Sequence, residues 1–229
     1  MEGPGKEGIM EHRRITLVCG HYGSGKTNIA LNLAFALRKA GGNVALADLD
    51  IVNPYFRSAD SRGELEAAGI PLICSSYASS NVDLPSLPAN LYAITDGSLQ
   101  DVVIDVGGDD RGALALGRLR DAILEENDYH MLLVINRFRP LTRDAASTLE
   151  VVREIEAACG IPFTGIVNNS NLGEETTPED ILSSREYAQE ISEKTHLPVV
   201  MTSVRADLLP SLAGQMPELF PMKLQRKPV

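Results

Sequence analysis

The sequence predicts an α/β protein with one doubly wound, mostly parallel sheet that is flanked by helices on both faces. Short apolar runs rich in Val, Ile and Leu alternate with longer helical patterns along the chain. A glycine-rich loop follows the first of these runs, and no internal repeat is visible. The 229 residues are enough for one domain with a substantial core. We therefore expect a single domain over residues 1–229, with flexible tails at residues 1–12 and 222–229.

Each predicted element follows from its local residue pattern. The strands are short β-branched or apolar runs, and the helices carry apolar residues at intervals of three and four. Gly41 and Gly42 end the first helix, and Pro178 suits the first turn of the last one. The predicted strands are residues 15–19, 43–48, 102–106, 131–135, 164–167 and 199–202. The predicted helices are residues 28–40, 114–124, 142–159 and 178–194.

Composition disfavours several classes of protein. The formal net charge of −10 opposes general attraction to nucleic acid, because proteins that bind nucleic acid usually carry a basic surface. No apolar run approaches the roughly 20 residues of a membrane span, and the amino terminus has no secretory signal pattern. The three cysteines are widely spaced and are expected to be reduced core residues. We expect a cytoplasmic protein that binds neither nucleic acid nor membrane.

A glycine-rich loop between the first strand and the first helix predicts a phosphate-binding site. Backbone N–H groups of such a loop and of the following helix terminus surround a polyphosphate. Lys26 is expected to reach the β and γ phosphates, and Thr27 to offer its hydroxyl to Mg²⁺. The alternative is a chance match, which the flanking strand and helix disfavour. The expected phosphate contacts are Gly20, His21, Tyr22, Gly23, Ser24, Gly25, Lys26, Thr27 and Asn28.

Acidic residues stand at the ends of two predicted strands. Asp48 and Asp50 are two positions apart, so the alternation of a strand points both carboxylates to the same side. Beside a magnesium triphosphate, one acid can orient or deprotonate the attacking water and another can hold a water of the metal shell. We expect Asp105 to hold Mg²⁺ and Gly108 to offer its N–H to the γ-phosphate, within a switch segment at residues 107–111. Solvated acids and an ordinary strand-to-helix turn are the alternatives.

These motifs resemble those of the MinD/ParA, CobQ/CobB and nitrogenase-iron-protein group of P-loop proteins. Their order and spacing match the group over most of the chain. The resemblance implies the doubly wound fold and the use of ATP and Mg²⁺. It also implies that Asp50 positions the hydrolytic water and contributes to the metal site, with Asp48 nearby. The segment at residues 51–58 corresponds to the first switch of that group.

The resemblance also implies a binding site for the nucleotide base. Asn169 matches an asparagine that binds adenine in the group, and Asn168 is the alternative register. An amide side chain has both a donor and an acceptor for the edge of a purine. The loop at residues 204–207, with Asp207, is similar to a second base-contacting loop, although a solvated loop is an equal alternative.

One residue departs from the usual motif of the group. A lysine normally follows the first glycine of the loop and reaches the phosphates of a partner subunit, whereas this chain has His21. The dimer that depends on this lysine is therefore in question. Arg57 or Arg111 could supply the missing cation, or both are solvated. The chain also lacks cysteines at the positions where the nitrogenase iron protein holds its cluster.

The residues favour an ATPase that hydrolyses slowly without a partner and acts as a nucleotide-operated switch. Its expected partners are ATP and ADP, a second copy of the chain in a homodimer, and a protein whose identity the sequence does not give. The alternative is an ATP-dependent small-molecule kinase or ligase, with its substrate between residues 53 and 95. A third hypothesis is a nucleotide-binding module without useful hydrolysis.

The loop at residues 136–140 faces either the nucleotide or a partner, or is a plain connection.

Overall fold

Within the part of the chain that the structure describes, the sheet has eight strands, and every neighbouring pair is parallel. The structure is a computed structural model and describes residues 11–49, 61–74, 94–95, 101–108 and 110–225. The strand order is β3-β2-β4-β1-β5-β6-β7-β8. The strands are β1 (Ile15–Cys19), β2 (Val44–Leu49), β3 (Leu72–Cys74), β4 (Asp101–Val106), β5 (Tyr129–Ile135), β6 (Gly165–Asn168), β7 (Val199–Arg205) and β8 (Leu219–Met222).

Helices cover both faces of this sheet, which confirms the predicted doubly wound architecture. The helices are α1 (Lys26–Lys39), α2 (Arg62–Ala67), α3 (Asp110–Gly117), α4 (Arg120–Glu126), α5 (Ala145–Cys159), α6 (Pro178–Ser183), α7 (Arg185–Thr195) and α8 (Leu209–Leu212). One apolar cluster packs α1 and α2 against the sheet, and the other packs α3, α4, α5 and α7 against the opposite face. No helix in these described ranges is long and apolar enough to cross a membrane.

The strand order determines where a ligand can bind. From β1 the chain moves outward to β2 and β3, returns to place β4 beside β1, and then continues on the other side with β5. Crevices at the carboxyl ends of parallel strands occur where the order reverses in this way. Since β1 is the strand at this reversal, the loop that follows it lies at the expected ligand-binding position.

Several element boundaries differ from those predicted, for local reasons. The predicted helix at residues 142–159 begins at Ala145, because Asp144 caps it by accepting a hydrogen bond from the Ser147 N–H at 2.9 Å. The predicted helix at residues 178–194 is divided at Ser184 into α6 and α7, and that at residues 114–124 is divided into α3 and α4. The short elements α2, α8, β3 and β8 carry too few residues to show a clear period.

The carboxyl-terminal segment is more ordered than expected. Met222 ends β8 and is buried, although we placed a flexible tail from residue 222 onward. The N–H groups of Lys223 and Gln225 donate to the side-chain oxygens of Asn32 at 2.9 Å and Asn28 at 2.7 Å. Residues 222–225 therefore pack along α1, and the Asn28 side chain binds this segment.

Candidate functional site

The loop at residues 20–27 connects β1 to α1 and depends on glycine for its path. A Cβ at Gly20 would lie 2.5 Å from the carbonyl oxygen of Val134 on β5, so no larger residue fits without a shift. Gly25 has φ +93°, and a Cβ there would lie 2.2 Å from Nδ2 of Asn169. The loop closes with a hydrogen bond from the Ser24 N–H to the His21 carbonyl at 3.1 Å. The chain is thus folded tightly between the ends of β5 and β6.

The first turn of α1 presents donors without a side-chain cap among the described residues. Its first turn contains no acid, whereas α5 has the Asp144 cap. Uncapped N–H groups at a helix amino terminus, together with the helix dipole, favour an anion. Lys26 and Thr27 are both buried here, and Lys26 Nζ donates to the His21 carbonyl at 3.3 Å. The loop therefore has the donors and the cation that a polyphosphate needs.

One buried hydroxyl in this loop also suits an oxyanion. Ser24 Oγ is fully buried and finds no hydrogen-bond partner among the described residues. An unsatisfied buried hydroxyl costs about 1 to 3 kcal/mol, so such groups usually mark a site that a ligand or water completes.

Two carboxylates lie side by side at the edge of the sheet nearest α1. Asp48 on β2 and Asp105 on β4 are register partners, and both are buried. The alternate residues Leu46 and Val103 belong to the apolar cluster that contains α1, so both acids face that helix. Asp50, predicted to position water and to contribute to the metal site, lies outside the described residues.

The donor set fits Mg²⁺. This ion binds one or two protein carboxylates and hydroxyls and completes its shell with water and phosphate oxygens. Thr27, Asp48 and Asp105 provide such donors at one end of α1, while the described residues contain no group of three or more His, Cys, Asp or Glu side chains that would form a complete protein cage. Burial raises the pKa of the nearby Cys19 thiol well above its usual range, which keeps it protonated and outside this chemistry.

Gly108 lies directly against the phosphate-binding loop. A Cβ at this position would lie 2.6 Å from Lys26 Nζ and 2.7 Å from the backbone nitrogen of Tyr22. Only glycine permits this approach of the segment after β4 to the loop. The side chain of Arg111 lies outside the described residues, as does Arg57, so the two cations considered in place of the missing lysine are not part of the described site. His21 itself has Nδ1 at 3.0 Å from the Tyr22 carbonyl.

A hydrogen-bonded network links the same loop to the ends of β6 and β7. Asn169 Nδ2 donates to the Ser24 carbonyl at 2.6 Å. Its Oδ1 accepts from Ser203 Oγ at 2.5 Å and from Asn171 Nδ2 at 3.0 Å. Asn168 is buried as well, donating to Ser184 Oγ at 2.8 Å and accepting from the Ser170 N–H at 3.3 Å. Both asparagines that we predicted as base contacts thus use their amides within the protein framework.

The loop with Asp207 is held by an arginine that the sequence analysis did not single out. Arg205 Nε and Nη2 donate to the two Asp207 oxygens at 2.6 and 2.9 Å, and Nη1 donates to the Glu174 carbonyl at 2.6 Å. The hydrogen bonds from Arg205 lower the pKa of Asp207, and in turn raise the pKa of Arg205. A small pocket opens beside this pair, and its walls include Asn171, Gly173, Ser203 and Arg205.

Asn171 and Ser203 line this pocket and were not named by the sequence analysis, whereas Arg205 lies within the predicted loop at residues 204–207 without having been singled out. Each is close in sequence to a predicted residue, but their involvement depends on which side chains turn inward at the ends of two strands. The position of Asn171 two residues beyond Asn169 was the available signal.

The similarity of this chain to known proteins agrees with the geometry of the site. The model of the CobQ/CobB/MinD/ParA nucleotide binding domain matches residues 15–178. No curated protein shows significant similarity to the sequence.

Solved structures with the same fold are found among proteins of signal-recognition systems. The cell division protein FtsY from Thermotoga maritima is 21% identical with a TM-score of 0.56, and the match covers 85% of this chain and 62% of that one. The signal recognition particle 54 kDa protein from Aeropyrum pernix, in complex with GDP, is 17% identical with a TM-score of 0.53 over 84% and 41% of the two chains. The chain thus spans less than two thirds of the length of these structures.

Proposed function

Since the chain belongs to the CobQ/CobB/MinD/ParA family of nucleotide-binding domains, we propose that it is a magnesium-dependent ATPase that acts as a nucleotide-operated switch. The observation that carries the proposal is the amino terminus of α1, which has no side-chain cap among the described residues and carries the buried residues Lys26 and Thr27. The paired acids Asp48 and Asp105 are on the same face of the sheet as this helix. Family membership makes nucleotide binding the general function, and hydrolysis is part of our proposal. The choice of ATP, the metal and the switch role are our proposals.

Each residue of the phosphate end has a proposed role. Loop N–H groups and Lys26 bind the β and γ phosphates and stabilise the charge that develops during hydrolysis. Thr27 and Asp105 would hold Mg²⁺, which would neutralise the charge of the phosphates. Asp50 orients the attacking water, and Asp48 supports it from the neighbouring position. Gly108, next to Lys26, would sense the γ-phosphate through its N–H.

We propose adenine as the base, on the strength of the resemblance at Asn169 and Asn168. The hydrogen bonds within the protein give Asn169 a further role, because it ties the β6 end to the Ser24 carbonyl. Asn171 and Arg205, on the wall of the adjacent pocket, are then the side chains best placed to meet the edge of a base. A match to a structure with bound GDP makes GTP the natural competitor in any test.

The switch proposal requires that the conformation of the segment after β4 depend on the third phosphate. Gly108 and Lys26 would both contact the γ-phosphate, so its loss would release this segment. A partner that recognises one state of this segment would then respond to hydrolysis. The replacement of the usual lysine by His21 leaves dimer formation as a question for measurement.

The test is titration calorimetry of the purified protein with ADP, a non-hydrolysable ATP analogue and the matching GTP analogue, with Mg²⁺ and with EDTA. We expect micromolar or tighter binding of the ATP analogue, at least tenfold weaker binding of the GTP analogue, and a loss of affinity without Mg²⁺. Light scattering of the same samples reports any nucleotide-dependent dimer.

Phosphate release in single-turnover assays completes the test. Slow release of phosphate from ATP supports the proposed ATPase, and binding of neither ATP nor GTP contradicts it. Tight binding with no release points to a nucleotide-binding module. ADP formation that depends on an added metabolite, from a panel of small acids and amines, points instead to a kinase or ligase.

A further inference from the structure

An arginine on the loop between β5 and α5 lies over the phosphate-binding loop. A Cβ at Gly23 would lie 3.9 Å from both Cδ and Nε of Arg139, and apart from the neighbours of Gly23 in the chain no other described residue comes within 4 Å of that point. Rotation about the side-chain bonds of Arg139 would therefore bring its guanidinium over residues 20–25 of the loop. Arg139 is itself exposed and can turn toward a ligand.

The backbone that carries Arg139 is fixed by buried hydrogen bonds. The Asn136 carbonyl accepts from the Arg139 N–H at 3.1 Å and from Thr142 Oγ1 at 2.7 Å. The Arg139 carbonyl accepts from the Thr142 N–H at 3.1 Å, and the Thr142 carbonyl accepts from the Tyr187 hydroxyl at 2.5 Å. Asn136 also donates through Nδ2 to the Asn171 carbonyl at 3.2 Å. A loop held in this way presents its side chains at constant positions.

The three arginines of this loop have different partners. Arg137 donates to the Ser183 carbonyl and lies over the Phe138 ring at 5.9 Å, and Arg143 pairs with Asp144 at 3.5 Å. The Arg139 guanidinium forms no hydrogen bond or ion pair with any described residue. None of its donors is therefore engaged by a residue that the structure describes.

We propose that Arg139 binds the phosphates of the nucleotide held by its own subunit. It supplies, from the β5–α5 loop, the cation that a lysine at position 21 would provide, and this inference rests on the proposed nucleotide binding. A guanidinium presents paired donors that match phosphate oxygens and remains charged at any physiological pH. In a chain with a net charge of −10, a cation at this position also offsets the repulsion of a polyphosphate.

The experiment compares Arg139→Ala with Arg143→Ala, an exposed arginine four residues along the same loop. Titration of each with ADP and the non-hydrolysable ATP analogue gives the affinity at 50, 150 and 400 mM salt. We expect Arg139→Ala to bind the ATP analogue roughly tenfold more weakly and ADP by a smaller factor, since a hydrogen bond to a charged group contributes this much. The affinity of Arg139→Ala should also fall less steeply with salt, because one charge contact is missing. Arg139→Lys should restore part of the affinity.

Two results would overturn the proposal. The first is binding by Arg139→Ala within twofold of the unsubstituted protein, with the same salt dependence. The second is a defect seen only at concentrations where light scattering detects a dimer, because that would assign the contact to the nucleotide of the partner subunit. If the unsubstituted protein binds no nucleotide, the proposed function fails as well, which distinguishes that outcome from failure of the Arg139 assignment alone. Equal melting temperatures of the variants exclude misfolding.

Discussion

The two ends of the candidate site differ in how completely their polar groups are satisfied. At the ends of β6 and β7, Asn168 and Asn169 are buried and use both donor and acceptor atoms within the protein. At the phosphate-binding loop, Ser24 Oγ is buried without a partner among the described residues, and α1 begins without a side-chain cap. We call the first region, around Asn168 and Asn169, the framework, because its polar groups are satisfied within the protein. The second region, the phosphate-binding loop, keeps donors that a polyanion would bind.

Asn169 connects these two regions. Its amide joins the Ser24 carbonyl of the loop to Ser203 on β7, across three segments that are far apart in sequence. Buried networks of this kind hold a geometry rigidly when every member is satisfied. The loop can therefore keep its donors directed at a ligand before the ligand binds, because a neighbouring network restrains its backbone.

The largest effect is expected at the phosphate end, for Lys26→Ala. Lys26 is proposed to contact two phosphates, and two hydrogen bonds to charged groups contribute about 4 kcal/mol, or roughly a thousandfold in affinity. Titration with the ATP analogue measures this loss. Lys39→Ala, at the exposed end of the same helix, should bind normally. Retention of affinity within tenfold by Lys26→Ala would remove this lysine from the phosphate site.

The next effect is expected at the framework, for Asn169→Ala. This change removes the 2.5 Å acceptor of the Ser203 hydroxyl and leaves it only the Asn168 carbonyl at 3.5 Å. It also removes one of the two acceptors of the Asn171 amide and the side-chain donor of the Ser24 carbonyl. We expect the free energy of unfolding to fall by about 3 kcal/mol in urea titrations, even without nucleotide. Asn43→Ala, at an exposed position, serves as the control. A variant that is fully stable yet binds nucleotide poorly would instead assign Asn169 to the base alone.

The sequence was sufficient for the motifs and for the sheet, since both depend on local patterns. Glycines, Lys26 and Thr27 stand between a strand and a helix, and six of the eight strands are clear apolar runs. The sequence analysis placed Asp48 and Asp105 at the ends of two strands, but their pairing as direct register neighbours is known only from the structure.

The network around Asn169 could not be predicted in the same way. A buried amide and an exposed amide have the same local pattern, and only the packing of β6 and β7 brings Ser203 within 2.5 Å of Asn169. Arg139 was likewise one of three arginines in a short loop, and the partners that separate them lie on other segments. Side-chain partners over long sequence distances are set by tertiary packing, for which local pattern has no signal.

A smaller effect is expected for Tyr187→Phe, which tests how the β5–α5 loop is held at the phosphate end. Burial raises the pKa of Tyr187 to about 12, and its hydroxyl donates to the Thr142 carbonyl. We expect the loss of this buried hydrogen bond to cost about 1.5 kcal/mol of stability at pH 8. Tyr129→Phe, a tyrosine without such a bond among the described residues, is the control.

The pH dependence of the same variant gives a second measurement. A folded pKa above the unfolded value of 10 stabilises the protein fully below pH 10, and this contribution of roughly 3 kcal/mol is lost as the pH rises toward 12. The advantage of about 1.5 kcal/mol that the unsubstituted protein has over Tyr187→Phe at pH 8 should therefore fall between pH 10 and 12 and reverse its sign. A difference that stays constant over this interval would show that the hydroxyl does not titrate as described.

The smallest effect is expected for Arg205→Ala, at the edge of the framework. Arg205 joins the Asp207 carboxylate to the Glu174 carbonyl, but Asp207 is mostly exposed, so the pair should contribute little to stability. Because the two loops it joins border the pocket with Asn171, we expect a threefold to fivefold loss of affinity for ATP and none for inorganic triphosphate. Arg185→Ala, exposed at the start of α7, should change neither. If Arg205→Ala lost affinity equally for ATP and for triphosphate, Arg205 would contact the phosphates. The framework would then not be a separate region for the base, distinct from the donors of the phosphate-binding loop.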